Sequence, residues 1–455
     1  MNALMTSTIV LLVGSALALP AHAGPTAAPL DFDPTFAGDG TLIIEPGTRA
    51  VAYAGMIDEA GEILVFGEAD NGNASFREAW FHRILGDGTV VPLGRFGAES
   101  PGCGSPRAFL TGIRLSNGDY LGGGYVQEGC TGLPRKFNVL QLTPSGGLVE
   151  EFDRVQFFNQ LAYINALGEQ SDGSIIAAGF ASTSGSDVDS WDIAVARFNT
   201  DGTQDASFGT NGIFVFDRAS DRDQVDDLII DEFDRILIAG TSSSSNGDLD
   251  IAALRLTPDG ALDTSFGGTG TFFYDGGGFN DAAASIDLIS ASRILVGGTL
   301  NPTGTAGQPT ILGLNEAGEL DNGFGNGGVL AVDLGANNAG ISDILYAGFR
   351  IYVAGTARIG GPDPINLQAA VTVLRSDGSP NPFFNGGQPQ VFEFDPALGP
   401  QSDIPQSIDV SDDGEQIVVT GFTDNTDRTR QRFGIARFIG RENALFIDGF
   451  EGGTP

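Results

Sequence analysis

Short runs of consecutive apolar residues, each closed by glycine, punctuate the chain. Arg235–Gly240 reads RILIAG. Equivalent runs are Glu62–Gly67 (EILVFG), Ser174–Gly179 (SIIAAG), Arg293–Gly298 (RILVGG), Arg350–Gly355 (RIYVAG) and Gln416–Gly421 (QIVVTG). Runs this short, rich in Ile and Val and bounded by turn residues, predict strands rather than helices. Because successive positions are apolar, not alternate ones, both faces of each strand are covered. Asp-Gly and Asn-Gly pairs stand where hairpins turn, as at Asp172-Gly173, Asn117-Gly118 and Asp413-Gly414.

A second pattern gives the period. Asp205-Ala206-Ser207-Phe208-Gly209 returns as Asp263-Thr264-Ser265-Phe266-Gly267 and Asp321-Asn322-Gly323-Phe324-Gly325, with weaker copies around Phe36, Phe96, Phe152 and Phe384. Successive Phe residues are 60, 56, 56, 58, 58 and 60 positions apart. Seven near-equal units, each unable to bury its strands alone, indicate a repeat architecture. Within a unit the pattern predicts four strands: A (Gly212–Asp217), B (Asp227–Ile230), C (Arg235–Gly240) and D (Asp250–Leu256). The expected fold is all-β: a single seven-bladed β-propeller of four-stranded antiparallel blades. The D-to-A connection of about a dozen residues is long enough, at ~3.3 Å per residue, to cross three strand spacings of ~4.8 Å. That reasoning places A innermost and D outermost, with each connection's Phe plugging the wedge between blades. Phe36, which has no preceding blade, is expected to dock near Ile435–Phe438 and seal the ring.

Taken together, these motifs resemble the bacterial delta-60 repeat over roughly Leu30 to Arg441. Units four and five match well. Unit two departs, since it lacks a clear strand A and carries Gly122-Gly123-Gly124 in strand C. The resemblance implies a propeller-type fold and a secreted or surface-associated protein. It implies no activity.

The ends agree with export. Residues 1–23 read as a signal peptide, with an apolar core from Thr8 to Leu19 and the small-x-small run Ala21-His22-Ala23, although they contain no Lys or Arg. The propeller is assigned to 24–441 and a short tail to 442–455. That tail, including Leu445–Glu451, reads as a sorting tag or an extra edge strand. The expected location is outside the cytoplasm: periplasmic, extracellular or on the cell surface. The apolar core at the start is shorter than the ~20 residues a bilayer span needs, so no membrane insertion is expected. Two cysteines in an exported chain predict one disulfide, Cys103–Cys130, whose loop closure is worth about 3–4 kcal/mol in the chain-entropy account.

Composition narrows the chemistry. With 58 acidic and 23 basic residues the net charge is −35, which repels phosphate backbones and excludes nucleic acid as a partner class. The 67 glycines have no collagen period and fit many turns. Beyond the leader there is one histidine, His82, in a strand D position, so a histidine triad has no spare base. No phosphate-binding glycine loop, nucleophile elbow or zinc spacing occurs. The repeated sialidase-type box is absent too. Paired carboxylates in a central pocket are the remaining enzymatic route.

Strand A tends to end on an acid: Glu45, Asp217, Asp275, Asp333 and Asp395, with Asn159 in the third unit. With A innermost, these would ring one mouth of the channel. The A–B and C–D loops share a face, vary in length and carry unusual residues, as in Asp217–Asp227, Ser182–Asp192, Thr241–Asp250 and Thr423–Arg432. Variable loops on a rigid frame are the expected working surface. Their oxygen ligands suit calcium, with Asp217, Asp221 and Asp223 as ligands and Asp275 and Asp333 contributing from neighbouring blades. The function expected is a binding or scaffolding propeller, monomeric, that presents loops to a glycan, peptide or cell-surface protein. The alternative is a propeller hydrolase acting on carbohydrate.

Overall fold

A computed structural model of the chain describes residues 31–439, apart from 71–76, 98–106, 128–134, 156, 158–160, 183–189, 220–221, 302–305, 337–338, 360–366, 397–401 and 425–429. The proposed signal peptide, the tail, Cys103, Cys130, Asn159 and Asp221 lie outside the described residues.

Seven antiparallel sheets surround a central channel, and the one described helix is a single 3-10 turn at Asn385–Gly387. Blades 1 to 6 each contain four strands in sequence order. The inner strands are Ala50–Ile57, Arg107–Arg114, Ala162–Glu169, Asp223–Ile230, Ala282–Ser290, Ala339–Ala347 and, in blade 7, Ser402–Val410. Each packs against the inner strands on either side of it. Blade 7 takes its outer strand from the other end of the chain: Thr41–Ile44 pairs with Gln431–Ile439, in register from Thr41 opposite Ala436 to Ile44 opposite Phe433. The expected closure is therefore present. Phe36 is fully buried among Val418, Phe433 and Ile435, with the Arg437 guanidinium 4.6 Å from its ring centre.

The strand order differs from expectation. Strand A is not innermost. Ile213–Phe216 pairs with Trp191–Phe198 and forms the outer edge of the preceding blade, while strand B lines the channel. The long connection folds back on itself instead of crossing to the next blade. In it, Asp205 accepts hydrogen bonds from the Ser207 amide (2.9 Å) and hydroxyl (2.7 Å), and the Gly212 amide donates back to the Phe208 carbonyl. Crossing is left to the six residues from Asp217 to Arg222, which at ~3.3 Å each still span three strand spacings.

The repeated Asp-x-Ser/Gly-Phe motif is a clamp. Phe208, Phe266 and Phe324 are fully buried, each between its own blade and the next. A recurring arginine joins the motif's Asp to the following blade. The Arg255 guanidinium bonds Asp263 at 2.8 Å and the Glu316 carbonyl at 2.6 Å, over the Phe266 ring. Arg197 does the same with Asp205 and the Pro258 carbonyl. Phe96 departs from this pattern: it ends the outer strand of blade 1 and is only half-buried.

Candidate functional site

Every inner strand carries a bulge at a matching position, and the residue bulged there faces the channel in every blade. These residues are Tyr53, Leu110 and Asn165 in blades 1 to 3, and Asp226, Ala284, Ser342 and Gln406 in blades 4 to 7. They wall a cavity of about 450 Å³, with Asp227, Asp343 and Ser407 beside them. Carboxylates of one blade accept inner-strand amides of the next, two or four positions past that blade's bulge. Asp227 accepts the Ile286 amide at 3.0 Å, Asp287 the Tyr346 amide at 2.5 Å, Asp343 the Ile408 amide at 2.9 Å and Asp409 the Ile57 amide at 2.6 Å. Asp226 turns to its own blade and accepts from Gln224 and Thr241, both at 2.7 Å.

Burial dominates the ionisation of these acids. It pushes Asp226 up to about 7 and Asp227, Asp287 and Asp409 to about 6. Asp343 rises furthest, to about 8, through burial first and then the charge of Asp227. The Tyr53 phenol is pushed up to about 12. Among the described residues, no lysine or arginine lines the cavity.

The second candidate lies where blade 3 hands over to blade 4. Asp192 (third strand), Asp217 (end of the outer strand) and Asp223 (start of the next inner strand) bring one carboxylate oxygen each within 4.8 Å of one another. Asp192 and Asp223 are buried and Asp217 is exposed. Asp223 accepts the Arg218 amide at 2.8 Å and the Ser242 hydroxyl at 2.5 Å. Burial raises its carboxyl above the usual range, aided by the nearby Asp217 charge. Three hard oxygens facing one point can hold a cation such as calcium.

Two of the five expected ligands, Asp217 and Asp223, are thus together, joined by Asp192, which the sequence reading did not single out. Asp275 and Asp333 stand at other junctions. Both are exposed, Asp275 accepting the Gly277 and Gly278 amides and Asp333 the Gly335 amide. Since strand A is outermost, Glu45, Asp217, Asp275, Asp333 and Asp395 mark blade edges, not the channel mouth. At the next junction Asp250, Asp275 and Asp281 repeat the same three positions. There Arg218 reaches over to bond Asp250 at 2.7 Å. Asp281 is taken by the Gly276 and Asn301 amides, at 2.6 and 2.7 Å.

His82 is buried in the third strand of blade 1, stacked on Trp80 with ring centres 5.1 Å apart. Burial lowers its pKa to about 4, so it is neutral and sits in the core.

Residues 170–208 and 234–266 match a family model described as "Domain of unknown function (DUF5122) beta-propeller". These are propeller-type repeats. No curated protein matches the chain. Among solved structures, Drosophila Semaphorin 2a is similar at 8% identity and a TM-score of 0.47, over 90% of this chain and 76% of that one. A Trypanosoma rangeli sialidase complex gives 9% and 0.44, over 90% and 60%. An ulvan lyase of polysaccharide lyase family PL25 gives 12% and 0.39, over 75% and 78%.

Proposed function

We propose that this is an exported binding or scaffolding propeller of the delta-60 repeat type. Its working surface is the face carrying the blade-to-blade connections and the loops between second and third strands. The observation that carries this reading is the Asp192–Asp217–Asp223 cluster, on that face at the junction of blades 3 and 4. A cation there would tie the third strand of one blade to the connection entering the next, and so fix the loops around it. The opposite face carries short turns closed by their own Asp side chains, as Asp172 and Asp201 do with Ser174 and Thr203. A glycan, a peptide or a cell-surface protein is the partner class. The channel acids support binding over hydrolysis, because each is committed to a backbone amide or a neighbouring side chain. A glycosidase needs one free acid and one free base or nucleophile across the scissile bond.

Calorimetric titration with calcium tests the cluster: saturable binding is expected, and its loss in Asp217→Asn. Absence of saturable binding up to millimolar calcium removes the metal. A glycan array with and without calcium then tests the face. Mass analysis of the exported protein checks cleavage after Ala23, and alkylation without reductant checks the Cys103–Cys130 bridge, where two labelled thiols refute it.

A further inference from the structure

The Ser285 hydroxyl lies between two carboxylates of different blades. It is 3.0 Å from Asp227 Oδ2 in blade 4 and 2.8 Å from Asp343 Oδ1 in blade 6. A hydroxyl has one proton to donate. If both carboxylates were ionised, one of these contacts would set lone pair against lone pair, with two negative charges about a single oxygen. Both contacts are satisfied only if one carboxyl brings a proton of its own. The amides do not choose between them, since Asp227 accepts those of Ile286 and Leu228 and Asp343 those of Ile408 and Ile344. The Asp343 contact to the hydroxyl is the shorter, 2.8 Å against 3.0 Å, and it is on Asp343 that burial and the Asp227 charge act together, so Asp343 is the carboxyl placed to carry the hydrogen.

We infer that Asp343, Ser285 and Asp227 form a proton-holding clasp across blades 4, 5 and 6, in which the Asp343 carboxyl donates to Ser285 and Ser285 donates to Asp227, and that this part of the ring loosens when the proton is lost. The surroundings favour the proton. Asp226 and Tyr53 line the same cavity, the Asp287 charge acts on Asp227, and no cation lines the cavity among the described residues. Asp343 also has the highest pKa of the channel acids, about 8. A group whose folded pKa is raised stabilises fully below its unfolded value, near 4, and loses that contribution as pH rises through the folded value. The window is therefore about pH 4 to 8, with Asp343 releasing last.

Infrared spectroscopy of the whole protein reads the clasp directly. A protonated-carboxyl C=O band is expected at pH 7, titrating away towards pH 9, diminished in Asp343→Asn and shifted in Ser285→Ala. Absence of that band in the wild type at pH 7 overturns the inference, and needs no variant to fold. Amide hydrogen exchange adds the conformational half. Beyond the intrinsic pH effect, the Ile286 and Ile408 amides should lose protection from pH 6 to 9 while amides in blades 1 and 2 do not. Asp343→Asn, which keeps an acceptor but cannot ionise, should flatten that loss. An unchanged pH response in this variant also overturns the inference.

Discussion

Blades 4 to 7 and blades 1 to 3 build the same inner junction from different chemistry. In blades 4 to 7 an acid one or three positions past the bulge reaches the backbone of the next blade: Asp227, Asp287, Asp343 and Asp409. The matching positions in blades 1 to 3 are Ala54 and Met56, Thr111 and Ile113, and Ala166 and Gly168. There the wedge is filled by rings. Phe66 stacks on Phe81 at 4.5 Å and meets Phe109 edge-on at 5.6 Å, and Gly112 is small because a Cβ there would stand 2.4 Å from Phe66. Between blades 2 and 3, Arg135 lies 4.6 Å from the Tyr125 ring and 5.1 Å from Tyr163. One slot in one fold thus accepts either apolar packing, indifferent to pH, or carboxylate–amide bonds, whose strength follows protonation.

The largest effect is expected where the two halves meet. A chain starting at Gly47 loses the outer strand of blade 7 and the Phe36 plug between blades 7 and 1. Loss of a buried Phe alone costs about 3–5 kcal/mol. Losing a strand as well should abolish a single cooperative unfolding transition, and calorimetry that still shows one transition at an unchanged temperature would contradict closure by this segment. Next in size is Phe66→Ala, in the apolar half. It should cost about 3–5 kcal/mol, and by the same amount at pH 5 and pH 8, measured by urea unfolding. A cost that depended on pH would blur the contrast between the halves.

Much of this was legible in the sequence, and the part that was not has one cause. Seven Phe anchors at near-equal spacing mark seven blades because all of them but Phe96 are buried in the wedge between two blades. The doubly apolar runs define covered strands because blades stack. The sequence reading inverts the strand order because chain length alone does not say which connection crosses between blades. The Asp-x-Ser-Phe segment is long but spends its length on an Asx turn and a buried ring, while the six residues from Asp217 cross. That single inversion displaced the acids. Asp217 and Asp275 were expected at the channel and stand at blade edges. The channel acids were visible as a recurring Asp before Leu, Ile or Val at Asp227, Asp287, Asp343 and Asp409, in segments expected to lie one strand further out. Asp192 joins Asp217 and Asp223 only through pairing of the third and outer strands, which the assumed order forbade.

A smaller effect is expected at Asp287, in the acidic half. Burial pushes its carboxyl up to about 6, against the charge-favouring bond from the Tyr346 amide. Its stabilising contribution is present below about pH 4 and is lost as pH rises through 6. Asp287→Asn keeps an acceptor for the amide and removes the charge. The variant should match the wild type at pH 4 and exceed it by about 2–3 kcal/mol at pH 8. Urea unfolding at the two values checks this, and a variant less stable at both would show that the charge is wanted.

The smallest effect has the opposite sign and belongs to the apolar half. His82 is buried beside Trp80 and close to Phe433, and burial alone lowers its pKa to about 4. The folded state therefore binds this proton later than the unfolded chain, whose histidine titrates near 6.5. Stability is complete above about 6.5 and is lost as pH falls towards 4, so blade 1 weakens in acid while the channel acids strengthen. Between pH 4 and 6.5 the His82 slope offsets about one of the five channel acids, so wild-type stability should still rise as pH falls there, less steeply than the acids alone would give. His82→Gln removes that offset. Its intrinsic cost of packing should be constant with pH, but its stability relative to the wild type should improve by about 1–3 kcal/mol between pH 7 and pH 4.5. Denaturation curves across that range read the difference. A constant difference would mean that His82 already exchanges its proton freely in the folded state, and that the apolar half contributes nothing to the acid response.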